Sequence, residues 1–294
     1  MADIAVYIER YTVASSEEMS ALMRLGQVAH LMGHRLDVLF RPDIYKIPQY
    51  DALFIRALTD PLNSAYVASR LAQLHGLRVI DDPESIVICC DKVNMYRRLS
   101  QQGIPMPETV FLAKSDLTPE TGRRLMRTLG TPLVLKAPSS SFSLQVERIS
   151  TVEDFARVGR RLLRRADRLI AQRFVQSEFD WRVGVLGGRV LYVCQYTIPK
   201  RRWKVLTYTE AGRAVYGRVR GFDVRKVNPA LLQTALQAAS AIGRGLYGVD
   251  LKQVGDGFVV IEVNDNPTIG AGEEDQHAPG LYKRLIRYLV GEGG

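Results

Sequence analysis

Short apolar runs, each bounded by polar or turn-forming positions, set the organisation of the chain from its first residues. Residues 4–8 (IAVYI) read as a strand, and 35–40, 52–55 and 77–80 read as three more. Ser15 with Glu18 three residues on gives a capping-box signal, and Met19, Leu22, Met23 and Leu25 follow at helical spacing. A second helix is expected over 64–74. Strand, helix, strand, strand, helix, strand predicts a small α/β layer with a mainly parallel sheet. No G-x-G-x-x-G follows the first strand, so this layer lacks the dinucleotide fingerprint.

Asp81-Asp82-Pro83 closes the layer. A helix opens at Asp91-Lys92, runs through Met95, Tyr96 and Leu99, and stops at Gly103. Residues 132–136 (PLVLK) form a strand that carries a lysine out of an apolar run, and 139–143 (SSSFS) form a loop of small residues. Taken alone, a snorkelling lysine and a flexible turn account for both. Thr151 caps a helix with Glu153 and Asp154 in its first turn. Phe155, Val158, Leu162 and Ala166 give it a buried stripe, opposite a stripe of Arg157, Arg160, Arg161, Arg164, Arg165 and Arg168. Residues 169–175 read as a strand running into a loop with Glu178 and Asp180, and 181–186 with 189–196 as a hairpin across Gly187-Gly188. After Pro199 comes a cationic cluster, Lys200, Arg201, Arg202 and Lys204, around Trp203. Asn228-Pro229 starts a helix in cap and first-position order, and 281–290 form a closing helix.

The chemistry concentrates between residues 248 and 267. Two apolar runs flank Gly255-Asp256-Gly257, the pattern of a β-hairpin with a four- or five-residue loop. A fold-back centred on Asp256 sets Asp250 opposite Glu262, give or take one residue. Strand alternation then puts Glu262 and Asn264 on one face. Two carboxylates and a carboxamide thus converge in an otherwise apolar wall, where a cation between them relieves repulsion and lost hydration. Oxygen donors without sulfur or imidazole favour magnesium. The bland alternative, acids facing water, fits poorly with their alternation among Val259, Ile261 and Val263.

Composition adds limits. A chain of 294 residues is long enough for two or three lobes. No apolar run of membrane-spanning length and no cleavable leader are apparent, and three cysteines with two adjacent favour a reducing, cytoplasmic setting. The net charge of +9 favours anionic partners without naming them.

Lys92, Lys136, residues 172–175, Asp180-Trp181-Arg182, Val249-Asp250-Leu251 and Glu262-Val263-Asn264-Asp265-Asn266-Pro267 occur in the order typical of the ATP-grasp superfamily. The chain resembles its RimK-like ligases, over nearly its whole length. The resemblance implies an α/β (α+β) fold with a Rossmann-like N-terminal lobe over 1–88, a small lobe over 89–175 and a large lobe with the metal site over 176–294. It assigns Lys92 and Lys136 to the ATP phosphates, Ser141 and Ser143 to a loop covering them, and the hinge Gln172, Arg173, Phe174 and Val175 to adenine. Glu178 or Asp180 would take the ribose hydroxyls. Arg182 with Lys200, Arg201 or Arg202 would face the transferring phosphate. Asp250, Glu262 and Asn264 would hold one or two magnesium ions, with manganese as a substitute, and Asn266 would touch the acceptor. Two positions depart from the family pattern: the covering loop has no glycine, and Arg173 stands where an acid is common.

The implied reaction is ATP-dependent joining of a carboxylate to an amine through an acyl phosphate, on an amino acid, small molecule or acidic peptide, by a homo-oligomer. The absence of a convincing Ser/His/Asp or Cys/His set agrees with it. An ATP-grasp phosphotransferase, a non-catalytic nucleotide-binding module and, last, a nucleic-acid binder are the alternatives; the basic helix lacks the interleaved aromatics that the last would use.

Overall fold

The computed structural model describes residues 1–139, 145–200, 202–208 and 214–292. The chain begins with β1 (Asp3–Ile8), α1 (Arg10–Val13), α2 (Ser16–Leu31), β2 (Arg35–Leu39), β3 (Ala52–Arg56), α3 (Ser64–Leu74) and β4 (Arg78–Ile80). The four strands form a sheet in the order β2-β1-β3-β4 with parallel pairing throughout. β1 and β3 are apolar without alternation because both faces of this sheet are covered. Ile4, Val6 and Phe54 pack with Leu22 and Leu25 of α2, while Ala5, Leu53 and Ile55 pack with Ala65 and Ala68 of α3. The expected cap at Ser15 is made, its Oγ accepting from the Glu18 amide at 3.3 Å, and Asn63, not read as a cap, accepts likewise from the Tyr66 amide at 3.1 Å.

Then come α4 (Pro83–Cys89), α5 (Lys92–Gln101), β5 (Thr109–Leu112), α6 (Pro119–Leu129), β6 (Leu133–Lys136), β7 (Val146–Ile149), α7 (Val152–Leu162) and β8 (Leu169–Arg173). Strands β5-β8-β6-β7 form an antiparallel sheet with α6 and α7 on one face. Leu133, Leu135, Leu169 and Ala171 join the apolar layer under those helices. Alternation sends Lys136 and Gln172 to the opposite face. The arginine stripe is shorter than expected, since the helix stops at Leu162 and Arg164, Arg165 and Arg168 follow it in a turn. Arg168 reaches back to Asp91 at 2.8 Å, so it belongs to the base of α5 and not to the stripe.

The last third contains β9 (Phe179–Leu186), β10 (Arg189–Thr197), β11 (Leu206–Tyr208), β12 (Ala214–Tyr216), β13 (Val219–Phe222), α8 (Pro229–Ile242), β14 (Leu246–Val254), β15 (Gly257–Asn264) and α9 (Leu281–Leu289). An antiparallel sheet runs β13-β10-β9-β14-β15, and β11 pairs with β12. Val183, Val185, Val249, Leu251 and Val263 pack with α8 and with Val93, Met95, Tyr96 and Leu99 of α5. Helix α5 therefore lies between the second and third sheets, the position that aims its first residue at the site. On the far side Leu281, Leu285 and Ile286 of α9 join the core of α2 and the first sheet. No helix among the described residues is long and apolar enough to cross a membrane.

Candidate active site

Strands β14 and β15 pair so that Asp250 lies opposite Glu262 and Gly248 opposite Asn264. The turn is tighter than expected: Val254 pairs with Gly257, leaving two residues, of which Gly255 takes a left-handed φ of 58°. Such a turn by itself would set Ile261 against Asp250. The register shifts by one between Asp250 and Leu251, so Ile261 bulges out and Glu262 takes the opposing place. On the neighbouring strand β9, Arg182 pairs with Asp250. The hairpin thus carries Asp250, Glu262 and Asn264 together, as the alternation implied.

Each carboxylate of the set has its own cation. Arg182 grips Asp250 with two hydrogen bonds, Nε to Oδ1 at 2.6 Å and NH2 to Oδ2 at 2.8 Å. Asn264 Nδ2 donates to the same Oδ2 at 3.2 Å. Lys92 Nζ lies 2.9 Å from Glu262 Oε1. Burial pushes the Glu262 carboxyl up, but Lys92 and then Lys136 outweigh it and hold it below its ordinary value. Burial lowers Lys92 in turn, and Glu262 more than restores it, so both stay charged. One step along β9, Asp180 is ion-paired to Lys252, and burial still leaves its carboxyl above the usual range. That pair occupies Asp180, while Glu178 is exposed.

Lys136 enters from the second sheet. It is buried and donates to Gln172 Oε1 at 2.7 Å and to the Tyr96 hydroxyl at 2.9 Å. Among the described residues no carboxylate is ion-paired to it, and burial pushes its ammonium down to about 8. Gln172 therefore contributes its side chain to the lysine, a use the sequence did not indicate.

Other expected positions divide. Arg173 points outward to Glu108 at 2.6 Å and to the Thr128 carbonyl, so only its backbone faces the hinge. Phe174 meets Trp203 edge-on at 6.0 Å with Arg148 over its ring at 5.9 Å, and Val175 continues into the loop. Lys200 and Arg202, which precede Trp203 in the chain, are exposed. Asn266 faces the first sheet: its Oδ1 accepts from Arg56 at 2.6 Å and its Nδ2 donates to the Ala57 carbonyl. It ties the hairpin exit to the end of β3. Ser141, Ser143 and Arg201 lie outside the described residues.

Sequence reasoning missed three buried groups that support the site. Tyr196 lies under Arg182, whose Cζ is 4.7 Å from its ring centroid, and donates to the buried Glu274. Tyr96 bridges Lys136 and β15. None carries a local signal, because each acts through partners distant in sequence. Burial pushes the thiols of Cys89, Cys90 and Cys194 up, so none is an activated nucleophile.

The set suits a divalent cation chelated by phosphate. Its donors are two carboxylates and one carboxamide, all oxygen, and no group of three His, Cys, Asp or Glu side chains competes among the described residues. Lys92 and Lys136 supply positive charge from the facing elements, matching a polyphosphate.

Comparison with known proteins agrees with this geometry. The family of RimK-like ATP-grasp domains matches residues 89–289. A probable alpha-L-glutamate ligase of Vibrio vulnificus is 25% identical over 279 residues, covering 89% of each chain. A glutamate–LysW ligase of Sulfolobus acidocaldarius is 27% identical over 229 residues, covering 74% of each. The same fold occurs in the D-alanine–D-alanine ligase of Bacillus anthracis complexed with ATP, at a TM-score of 0.72 and 15% identity over 99% of this chain and 96% of that one. A RimK-domain ATP-grasp protein of Sphaerobacter thermophilus gives a TM-score of 0.64 at 18% identity over 99% of each. The chain therefore belongs to the RimK-like ATP-grasp family, the carboxylate–amine ligases that form amide bonds with ATP.

Proposed function

We propose that this protein ligates an amino acid, with glutamate the first candidate, to the amine of a small molecule or peptide. The observation that carries the reading is the facing of two charge systems. Asp250, Glu262 and Asn264 form an oxygen-donor face on β14 and β15, and Lys92 and Lys136 approach it from α5 and β6. The choice of glutamate rests on the glutamate ligases among the relatives.

In this reading Asp250, Glu262 and Asn264 hold magnesium, which supplies charge against the phosphates when bound. Lys92 and Lys136 hold phosphate oxygens. Arg182 fixes the direction of Asp250 and stays next to it as a cation. Arg202, with Arg201, orients the carboxylate to be activated. The hinge backbone at 172–175 receives adenine beside Phe174, and Glu178 takes the ribose. No side chain is asked to act as a covalent nucleophile, in keeping with in-line phosphoryl transfer, where positioning and charge do the catalysis. The free thiols of Cys89, Cys90 and Cys194 support a cytoplasmic setting.

The test is ADP release over paired amino acids and peptides, with mass spectrometry of the products. The proposal requires that repeated turnover to ADP need both an acid and an amine, that the acid alone give at most one equivalent of ADP per site, and that the product be the condensate of acid and amine. ADP turned over many times with one substrate alone, together with a stable phosphate ester of a hydroxyl, assigns a phosphotransferase and overturns it.

A further inference from the structure

Lys136 sits in a hydrogen-bonded chain whose two ends are backbone carbonyls. At one end Thr109 Oγ1 donates to the Pro107 carbonyl at 2.7 Å, which uses its only proton. Thr109 must therefore accept from Gln172 Nε2, at 2.9 Å, and this orients the Gln172 amide with Oε1 toward Lys136. At the other end Tyr96 donates to the Ile261 carbonyl at 2.6 Å. Its single proton is spent there, so toward Lys136 it can only accept. The 3.5 Å approach of the Tyr96 hydroxyl to Gln172 Oε1 is too long to compete. Lys136 accordingly donates in both directions, with two of its three N–H groups, and among the described residues the third has no hydrogen bond and can meet a phosphate oxygen.

The chain joins all the parts that make up the site. Tyr96 belongs to α5 and is 0% exposed, Lys136 and Gln172 belong to the second sheet, and Ile261 is the bulge residue that puts Glu262 opposite Asp250. Beside it the Val260 amide donates to the Pro105 carbonyl at 2.8 Å, so β15 is fastened at the same level from a second side. A phenylalanine at 96 would fill the same space and keep a ring 5.3 Å from the ammonium. It would leave the Ile261 carbonyl without this donor and Lys136 without this acceptor.

We propose that Tyr96 is a positioning residue for ATP: its hydroxyl, braced on the bulge carbonyl of Ile261, fixes Lys136 Nζ relative to Glu262 so that the lysine meets phosphate at a set distance from the metal ligands. The inference rests on the assignment of Lys136 to the phosphates. Thr109 serves the same lysine from the opposite end through Gln172.

The test compares ATP and adenosine binding to the full chain by calorimetry, in magnesium buffer, for Tyr96→Phe, Thr109→Val and Lys136→Ala. Tyr96→Phe should weaken ATP by about tenfold or more, the size expected of one charge-assisted hydrogen bond, and leave adenosine unchanged. Thr109→Val should act in the same direction, and KM for ATP should rise more than kcat falls. A merely structural tyrosine predicts instead that ATP and adenosine weaken together, or that ATP binding is unmoved, and either result overturns the inference. If Lys136→Ala changes the ATP-to-adenosine ratio and Tyr96→Phe does not, this inference alone fails. If Lys136→Ala leaves the ratio unmoved, the phosphate assignment fails and takes the inference with it.

Discussion

Glu262 and Lys136 show how burial divides ionisable groups of one site into different roles. Glu262 is held ionised by Lys92 at 2.9 Å, which suits a metal ligand that must arrive charged. Glu262→Gln keeps the shape and removes that charge. We expect turnover to fall by several orders of magnitude, and the magnesium concentration for half-activity to rise about 10–100-fold; near-normal turnover in a magnesium titration would remove the metal assignment. Among the described residues Lys136 has only neutral hydrogen-bond partners, and burial pushes its ammonium down to about 8. The protonated form attracts phosphate, so ATP affinity should be full below about 8 and decline as pH rises through it, by up to tenfold per unit. Lys92, raised by Glu262, does not titrate in that window. Binding that stays flat for ATP across it, while adenosine is also flat, would show that Lys136 is not the phosphate ligand. The carboxylates of the site were legible in the sequence because residue type and strand alternation suffice to place them. Tyr96, Tyr196 and Glu274 were not, because a tyrosine on an apolar helix face or an acid in a loop acquires meaning only from a partner on another element.

Hairpin β14–β15 shows the same division at the scale of an element. The position of the glycine-aspartate turn gives the pairing of Asp250 with Glu262 only to within one residue, and the bulge at Ile261 decides it. The bulge that follows the two-residue turn lies where Tyr96 donates to the Ile261 carbonyl and the Val260 amide donates to the Pro105 carbonyl, contacts from outside the hairpin. Helix α6 went unread although Thr118-Pro119 offers the same cap-and-proline order as Asn228-Pro229, a signal present in the sequence. Gly248 carries a further constraint. A Cβ there would stand 2.6 Å from Pro267 Cβ and 3.6 Å from Arg182 Cδ, so the strand must be bare where the chain returns across it. Gly248→Ala should destabilise the protein by about 1–3 kcal/mol in denaturant unfolding, the usual size of an overpacked core site. It should also lower kcat, since the shift it forces lies beside Arg182, which orients Asp250. An unchanged midpoint and kcat would mean that the return loop is free to move.

Over the whole molecule, the first sheet and the hairpins β9–β10 and β14–β15 were readable because apolar runs alternate with turn residues, whereas β5, β7, β11, β12 and β13 went unread. The contact of α9 with α2 and the first sheet was not readable, since nothing local says which surface a terminal amphipathic helix covers. Charge is likewise a property of the whole surface. Arg160 and Arg164 are exposed on the outer side of the second sheet, away from Lys136, whereas Arg202 is exposed and precedes Trp203, whose ring meets Phe174 of the hinge. Arg202→Glu should raise KM for the acid substrate, more at low salt than at high salt because screening already weakens the attraction. Arg160→Glu should change KM little; the reverse pattern would place the acid substrate on the outer face. The central claim, a carboxylate activated by phosphate and then captured by an amine, is tested most directly by following oxygen. With the acid labelled by 18O in its carboxylate, the account predicts one labelled oxygen transferred to inorganic phosphate for each amide formed. Amide or ADP formation with unlabelled phosphate would contradict it.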